Sequence, residues 1–192
     1  MKKVVIINGH PDKESFNHAL QKAYKTGALS AGNEVEEITL SEMEFSTNLR
    51  FGYRKRTDWE PDLLNTWNKI VQADHLVFIF PTWWGFMPAL MKGFFDRIFL
   101  PGFAFEYQEN SPFPKKLLKG KTAEIITTMD TPVWYYKWVL GNTGIKVLKN
   151  SILGFCGVKN RRTTYLSVVK TSEEKQRQKW LSKIEKLGTG IR

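Results

Sequence analysis

The feature that most constrains this chain is a pair of short, wholly apolar runs, KVVIIN at Lys3–Asn8 and HLVFIF at 75–80. Neither alternates polar with apolar residues, so each reads as a strand with both faces buried. Such strands sit inside a parallel sheet covered by helices on both sides. Parallel neighbours need crossovers of a dozen or more residues, usually helical. The intervening sequence supplies them. Residues 15–30 put Phe16, Ala19, Leu20, Ala23 and Tyr24 on one helical face. Residues 61–73 do so with Leu63, Leu64, Trp67, Ile70 and Val71, and Pro61 suits a first helical position. Residues 88–98 follow with Leu90, Met91, Phe94, Phe95 and Ile98.

Weaker strands complete the alternation. Glu34–Thr39 alternates and belongs near a sheet edge, 122–127 reads TAEIIT, and 163–166 is the last. Residues 134–153 are helical in part, interrupted at Gly141-Asn142. A charged helix at 171–187 has Ser172 placed to cap it and Trp180, Leu181, Ile184 and Leu187 facing inward. The stretches 41–60 and 101–120 have no clean period and read as long excursions. Five strands interleaved with helices make an α/β fold with a doubly wound parallel sheet. With no repeat or linker, residues 1–192 read as one domain.

Composition removes several function classes. A 42% hydrophobic, 25% charged chain is globular, not disordered. Cys156 is the only cysteine, so no intrachain disulfide forms and the chain reads as intracellular, in the cytoplasm. Three histidines, without HExxH or CxxC, leave no expected metal site. The apolar run at 4–7 is too short for a secretory signal, and Lys92, Asp96 and Arg97 break the apolar region 76–105. No membrane insertion is expected. The net charge of +10 is scattered, with its densest points at Arg54-Lys55-Arg56, Lys115-Lys116 and Lys159 with Arg161 and Arg162. It reads as a solvated, anion-attracting surface. Without an RNP, KH or basic-helix pattern, nucleic acid is not an expected partner.

Ligands of doubly wound sheets bind beyond the carboxyl ends of the strands, which directs attention to residues after 8, 80 and 127. After the first strand comes GHPDKESFN, a loop leading into a helix whose first N–H groups and dipole suit a phosphate. Ser15, Asn17 and His10 would add side-chain hydrogen bonds. Alternatively, Ser15 is an N-cap and His10 a turn residue. The pattern is neither GxxxxGK[ST] nor GxGxxG. After the second buried strand comes Pro81-Thr82-Trp83-Trp84-Gly85. Its flat rings suit a planar aromatic ligand, or else plug the top of the core. Asp96 and Arg97, on the next helix, read as a surface or structural ion pair. The third place is Thr127-Thr128-Met129-Asp130, followed by Trp134-Tyr135-Tyr136. Thr128 and Asp130 serve a ligand or cap the next helix. A phosphate site beside an aromatic platform suggests a nucleotide with a flat ring system, flavin or nicotinamide.

The segments GHPDKESFN, LVFIFPTWWGFMPALMKGFFDRIF, FAFEY and ILGFCG resemble the flavodoxin-like NAD(P)H:quinone oxidoreductase family. The resemblance runs from residue 2 to about 187. It implies strand order 2-1-3-4-5 and a flavin-bound homodimer with its active site at the subunit interface. It implies FAD, with FMN as the alternative, and NAD(P)H as co-substrate. His10, Ser15, Phe16, Asn17 and, more loosely, His18 would hold the flavin's phosphates. Pro81, Thr82, Trp83, Trp84 and Gly85 would lie along its ring system, with Thr127 and Thr128 from the next loop. Tyr135 matches a family tyrosine that works with a histidine, but Gly141 or Asn142 stands where that histidine falls. Met129 and Asp130 replace two glycines. Tyr135, then Asp130, are the expected catalytic groups. The family's longer C-terminal extension is not found in this chain.

The expected chemistry is hydride transfer from NAD(P)H to flavin N5 and then two electrons to a quinone or similar small acceptor. A ping-pong scheme follows if the nicotinamide leaves first. Two other readings stay open: a flavodoxin-type electron carrier, and an ancillary flavin-binding subunit of a potassium-efflux system. The two excursions and the +10 charge weigh against the carrier.

Overall fold

β1 (Lys3–Asn8) and β3 (His75–Pro81), the two apolar runs, lie side by side in a five-stranded sheet. The computed structural model describes residues 1–191. β2 (Glu34–Thr39) flanks β1 at one edge, and β6 (Thr122–Met129) and β7 (Lys159–Ser167) extend the sheet beyond β3. All four pairings are parallel, giving the order β2-β1-β3-β6-β7, which is 2-1-3-4-5 among these strands.

Each central strand feeds two cores, as its two-residue period requires. Val5, Ile7, Phe78 and Phe80 pack with residues of α2 (Pro61–Gln72) and α3 (Ala89–Ile98). Val4, Ile6, Val77 and Ile79 pack with α1 (Phe16–Ser30) and α6 (Glu174–Thr189). α2 buries Leu63, Trp67 and Ile70, whereas Leu64 and Val71 of its expected stripe stay exposed. No helix among the described residues is long and apolar enough to cross a membrane.

Several expected boundaries move. The excursion 101–120 contains an antiparallel hairpin, β4 (Phe105–Gln108) with β5 (Ser111–Lys116). Pro112 and Pro114 hide β5, because proline reads as a strand breaker yet is tolerated on an edge. β7 begins earlier than expected, at Lys159, where charged residues suit an exposed edge strand. The segment after β6 has π-type turns at Tyr135–Val139 and Val147–Leu153, around α4 (Thr143–Lys146) and before α5 (Gly154–Cys156). Asn142, left-handed at φ 55°, separates the first turn from α4. α6 starts at Glu174, and Ser172 does not cap it. The Ser172 hydroxyl donates to Val169 O (2.7 Å) and accepts from Arg177 Nε (3.0 Å), shaping the loop before the helix.

Asp96 and Arg97 do not pair with each other. Asp96 pairs with Lys92 at 2.7 Å. Arg97 is fully buried and reaches into the excursion 41–60. It donates to Ser46 O (2.6 Å), Asp58 O (2.9 Å) and both Glu60 carboxylate oxygens (3.1 and 2.7 Å). Burial pushes the Glu60 carboxyl up, but the Arg97 bonds and the Ser46 N–H outweigh it and hold it below its usual value.

Candidate active site

The loop after β1 is built on Asn8. Its buried side chain donates to Gln21 Oε1 (2.7 Å) and accepts from the His10 N–H (3.0 Å). His10 Nδ1 accepts from the Asp12 N–H at 3.0 Å. That bond leaves the ring proton on Nε2, and burial lowers the His10 pKa, so the ring is a neutral Nε2–H donor. The ring meets Trp83 edge-on, 5.6 Å between centroids.

Ser15 occupies the N-cap position of α1 by its backbone alone. Its hydroxyl bonds His18 Nδ1 at 3.1 Å. Asn17 is buried, its Oδ1 accepts from the Thr128 hydroxyl at 2.8 Å, and its Nδ2 has no partner. In the first helical turn the N–H groups of Phe16 and Asn17 have no intrahelical acceptor.

The loop after β3 is tied to β6. The Thr82 N–H donates to Thr128 O (2.7 Å), and the Thr82 and Thr127 hydroxyls are 2.7 Å apart. Trp83 and Phe86 exchange two backbone hydrogen bonds of 2.9 Å. The two residues between them, Trp84 (φ 51°) and Gly85 (φ 76°), are both left-handed, as a tight hairpin turn requires. Trp84 is fully exposed. Gly85 O accepts from the hydroxyl of buried Tyr136 at 3.0 Å. Gly144 lies against that carbonyl so closely that a Cβ there would sit 2.4 Å from it.

Neither Thr128 nor Asp130 caps a helix. Thr128 bonds Asn17, and Asp130 Oδ1 accepts the Lys170 N–H at 2.7 Å. The loop after β7 therefore joins the site, with Val169 and Lys170 lining it and Val168 left-handed at φ 63°. Sequence reading missed this loop, although the carboxyl-end rule applies to a fifth strand as well. It also missed the Tyr136 tether.

These loops enclose a cleft of about 330 Å³. His10, Ser15, Phe16, Asn17, Pro81, Thr82, Trp83, Thr128 and Asp130 line it. His18, Trp84, Gly85, Thr127 and Tyr135 do not. His18 and Thr127 lie behind the lining, bonded to Ser15 and Thr82. Tyr135 is 39% exposed and meets Trp134 edge-on. Of Gly141 and Asn142, one of which stands where the family histidine would fall, Asn142 has its amide bonded both ways to the Tyr165 hydroxyl (2.9 and 3.2 Å). Cys156 is buried, which pushes its thiol up to about 12 and leaves it unreactive.

The donor set fits a flavin phosphate. An orphaned, buried amide NH2 stands beside free first-turn N–H groups, and Lys170 adds a positive charge. Phe16 and Trp83 offer aromatic surface in the same cleft.

A model of the family described as having a flavodoxin-like fold matches residues 2–187. Mouse ribosyldihydronicotinamide dehydrogenase [quinone] is 30% identical over 182 residues, covering 82% of this chain and 78% of that protein. This chain belongs to the flavodoxin-like quinone oxidoreductase family. Within that family, guinea pig NAD(P)H dehydrogenase [quinone] 1 is 30% identical over 183 residues, covering 82% of this chain. The match spans 65% of that relative's own length. The crystal structure of Smu.1420 from Streptococcus mutans UA159 is similar, with a TM-score of 0.84 and 34% identity over 98% of this chain and 99% of that one.

Proposed function

We propose that this chain is a flavin-dependent NAD(P)H oxidoreductase that passes two electrons to a quinone or similar small acceptor by a ping-pong scheme. The observation that carries this reading is Asn17 Nδ2, buried without a partner in a cleft with an aromatic wall. A bound flavin would take a hydride from NAD(P)H at N5 and hand two electrons on. The names of the quinone-linked mammalian relatives support that substrate class.

The chain's own part is binding, orientation and charge. Asn17 NH2, the first-turn amides of α1 and the Nε2–H of His10 hold the flavin's anionic groups, with Ser15, Phe16 and His18 shaping that end. The Thr82–Thr127 hydroxyl bond and the Thr82 N–H bond to Thr128 O lock the second and third loops together, and the Thr128 hydroxyl ties the third to Asn17, so the Pro81–Gly85 backbone meets the flavin in one fixed shape. Trp83 and Trp84 cover the ring system and exclude water. Tyr135 offers a hydroxyl proton near the acceptor, without the family histidine. Asp130 acts by fixing Lys170 rather than by transferring a proton.

The family resemblance favours FAD over FMN. Exposed Trp84, Trp138 and Tyr107 support a homodimer that covers them at an interface containing the active site. We place the protein in the cytoplasm. The test is to purify the chain, release its chromophore and identify it by mass, then add NADH or NADPH and a quinone without air. Flavin that bleaches with nicotinamide and recovers with quinone supports the reading. Flavin that nicotinamide does not reduce favours the carrier or ancillary-subunit reading. A protein that takes up neither flavin overturns it.

A further inference from the structure

A second concavity, of about 460 Å³, opens at the β7 edge of the sheet, between that strand and residues 142–150. It shares no lining residue with the flavin cleft. Lys146, Lys149, Arg161 and Arg162 bring four positive charges to it, and no lining residue is acidic. Lys137 adds a fifth cation nearby, its Nζ 4.4 Å from the Tyr165 ring centroid. The Glu124 carboxylate, opposite Arg162 across the ladder and only 6% exposed, feels the charges of Arg162 and Arg161. Lys146 and Lys149 are exposed and form no ion pair with any described residue.

Two further observations separate this groove from an ordinary solvated lysine face. Its floor is rigid, because Asn142 and Tyr165 are bonded in both directions. In addition, Asn160 Oδ1 is buried there without a donor, while its Nδ2 faces the Thr163 hydroxyl at 3.3 Å. Turning that amide over lets Thr163 donate to Oδ1 and frees the NH2 to donate to a bound anion. Thr163 then satisfies the oxygen, and the freed NH2 together with the charges of Lys146 and Lys149 is served by the arrival of an anion with several acceptor oxygens. A lysine row such as that of Lys175, Lys179 and Lys183 on α6 has no such anchor, since all three stand on one helix.

We propose that this groove binds a ligand through an anionic phosphate group, carried by a soluble diphosphate compound or by an anionic lipid headgroup. The site lies apart from the flavin cleft, sharing none of its lining residues. Asn142 connects it to the segment that carries Tyr135 and Tyr136, so occupancy would be felt beside the Gly85 turn.

The test is calorimetric titration of inorganic pyrophosphate into the purified protein at low ionic strength, where charge interactions are least screened. One-to-one binding is expected, at least tenfold weaker in K146Q/K149Q and unchanged in K179Q/K183Q. A parallel arm sediments the protein with phosphatidylglycerol or phosphatidylcholine vesicles. Pyrophosphate binding without vesicle retention assigns a soluble ligand. Retention on phosphatidylglycerol alone, lost in K146Q/K149Q and displaced by pyrophosphate, assigns a headgroup. Binding that K146Q/K149Q does not weaken, binding that both pairs weaken equally, or no binding of either probe overturns the proposal.

Discussion

Asp130 Oδ1 accepts the backbone N–H of Lys170 at 2.7 Å, joining the loops that end β6 and β7 at the mouth of the cleft. An acceptor that bears charge makes this bond stronger than a neutral one, although exposure keeps it at the weaker end of that range. Asp130→Ala should let the Lys170 loop swing out and weaken flavin binding by about fivefold, on the order of 1 kcal/mol. Asp130→Asn, which keeps an acceptor oxygen, should lose much less. Flavin titration followed by fluorescence distinguishes the two. Equal losses in both variants would mean that the carboxylate's charge, not the tether, matters.

Asn17→Asp should be the most damaging single change to cofactor affinity. It keeps the oxygen that accepts from Thr128 at 2.8 Å but replaces the free NH2 with a negative charge. A buried donor replaced by a repelling acceptor costs about 1–3 kcal/mol, roughly fivefold to 150-fold in flavin Kd. Unfolding by urea should change less than affinity does, because the internal Thr128 bond survives. A variant that binds flavin as tightly as the parent would remove Asn17 from the phosphate site.

The architecture was legible because β1 and β3 are apolar on both faces, a pattern few other folds use. Three of the four cleft loops followed from the carboxyl-end rule and from the resemblance. What escaped was long-range. Asp130 and Lys170 are 40 residues apart, and Arg97 meets Ser46 across 51, so no local pattern announces either contact. Arg97 reads locally as half of a surface or structural ion pair with Asp96, and only the fold makes it a large, fully buried side chain. The β4–β5 hairpin escaped because its prolines imitate a loop.

Trp84 has a left-handed backbone, φ 51°, with its side chain wholly in solvent. A bulky residue there carries backbone strain of about 1 kcal/mol and no compensating burial. In the separated protomer Trp84→Gly should therefore raise stability by up to about 1 kcal/mol, read as a higher Tm at low protein concentration. In the same variant, flavin reduction by NAD(P)H should slow, as expected of a residue that covers the bound ring. At concentrations where the dimer forms the gain should vanish or reverse, because the proposed interface covers the indole; a gain that persists there would place Trp84 outside the interface.

Acid should weaken the fold through His75. This buried ring, bonded to Thr122 at 2.7 Å, has its pKa lowered by burial to about 4. Below the ordinary histidine value the unfolded chain binds a proton that the folded chain refuses. The stabilisation is complete above pH 6.5 and is lost as pH falls toward 4, amounting to about 2 kcal/mol between pH 7 and pH 5. Burial raises the pKa of neighbouring Glu124, which acts in the opposite sense. Comparing His75→Gln with the parent in urea at both pH values isolates the histidine. An unchanged pH slope in the variant would overturn the assignment.

The Arg97 guanidinium binds the 41–60 excursion at Ser46, Asp58 and Glu60 at once. A stretch that is almost without helix or strand thereby acquires a shared anchor. Opening at Ser46, Asp58 or Glu60 loosens the same buried cation, which couples the two ends of the stretch. The excursion should breathe as one cooperative block, with hydrogen exchange across it governed by a common opening equilibrium rather than by the exposure of each N–H.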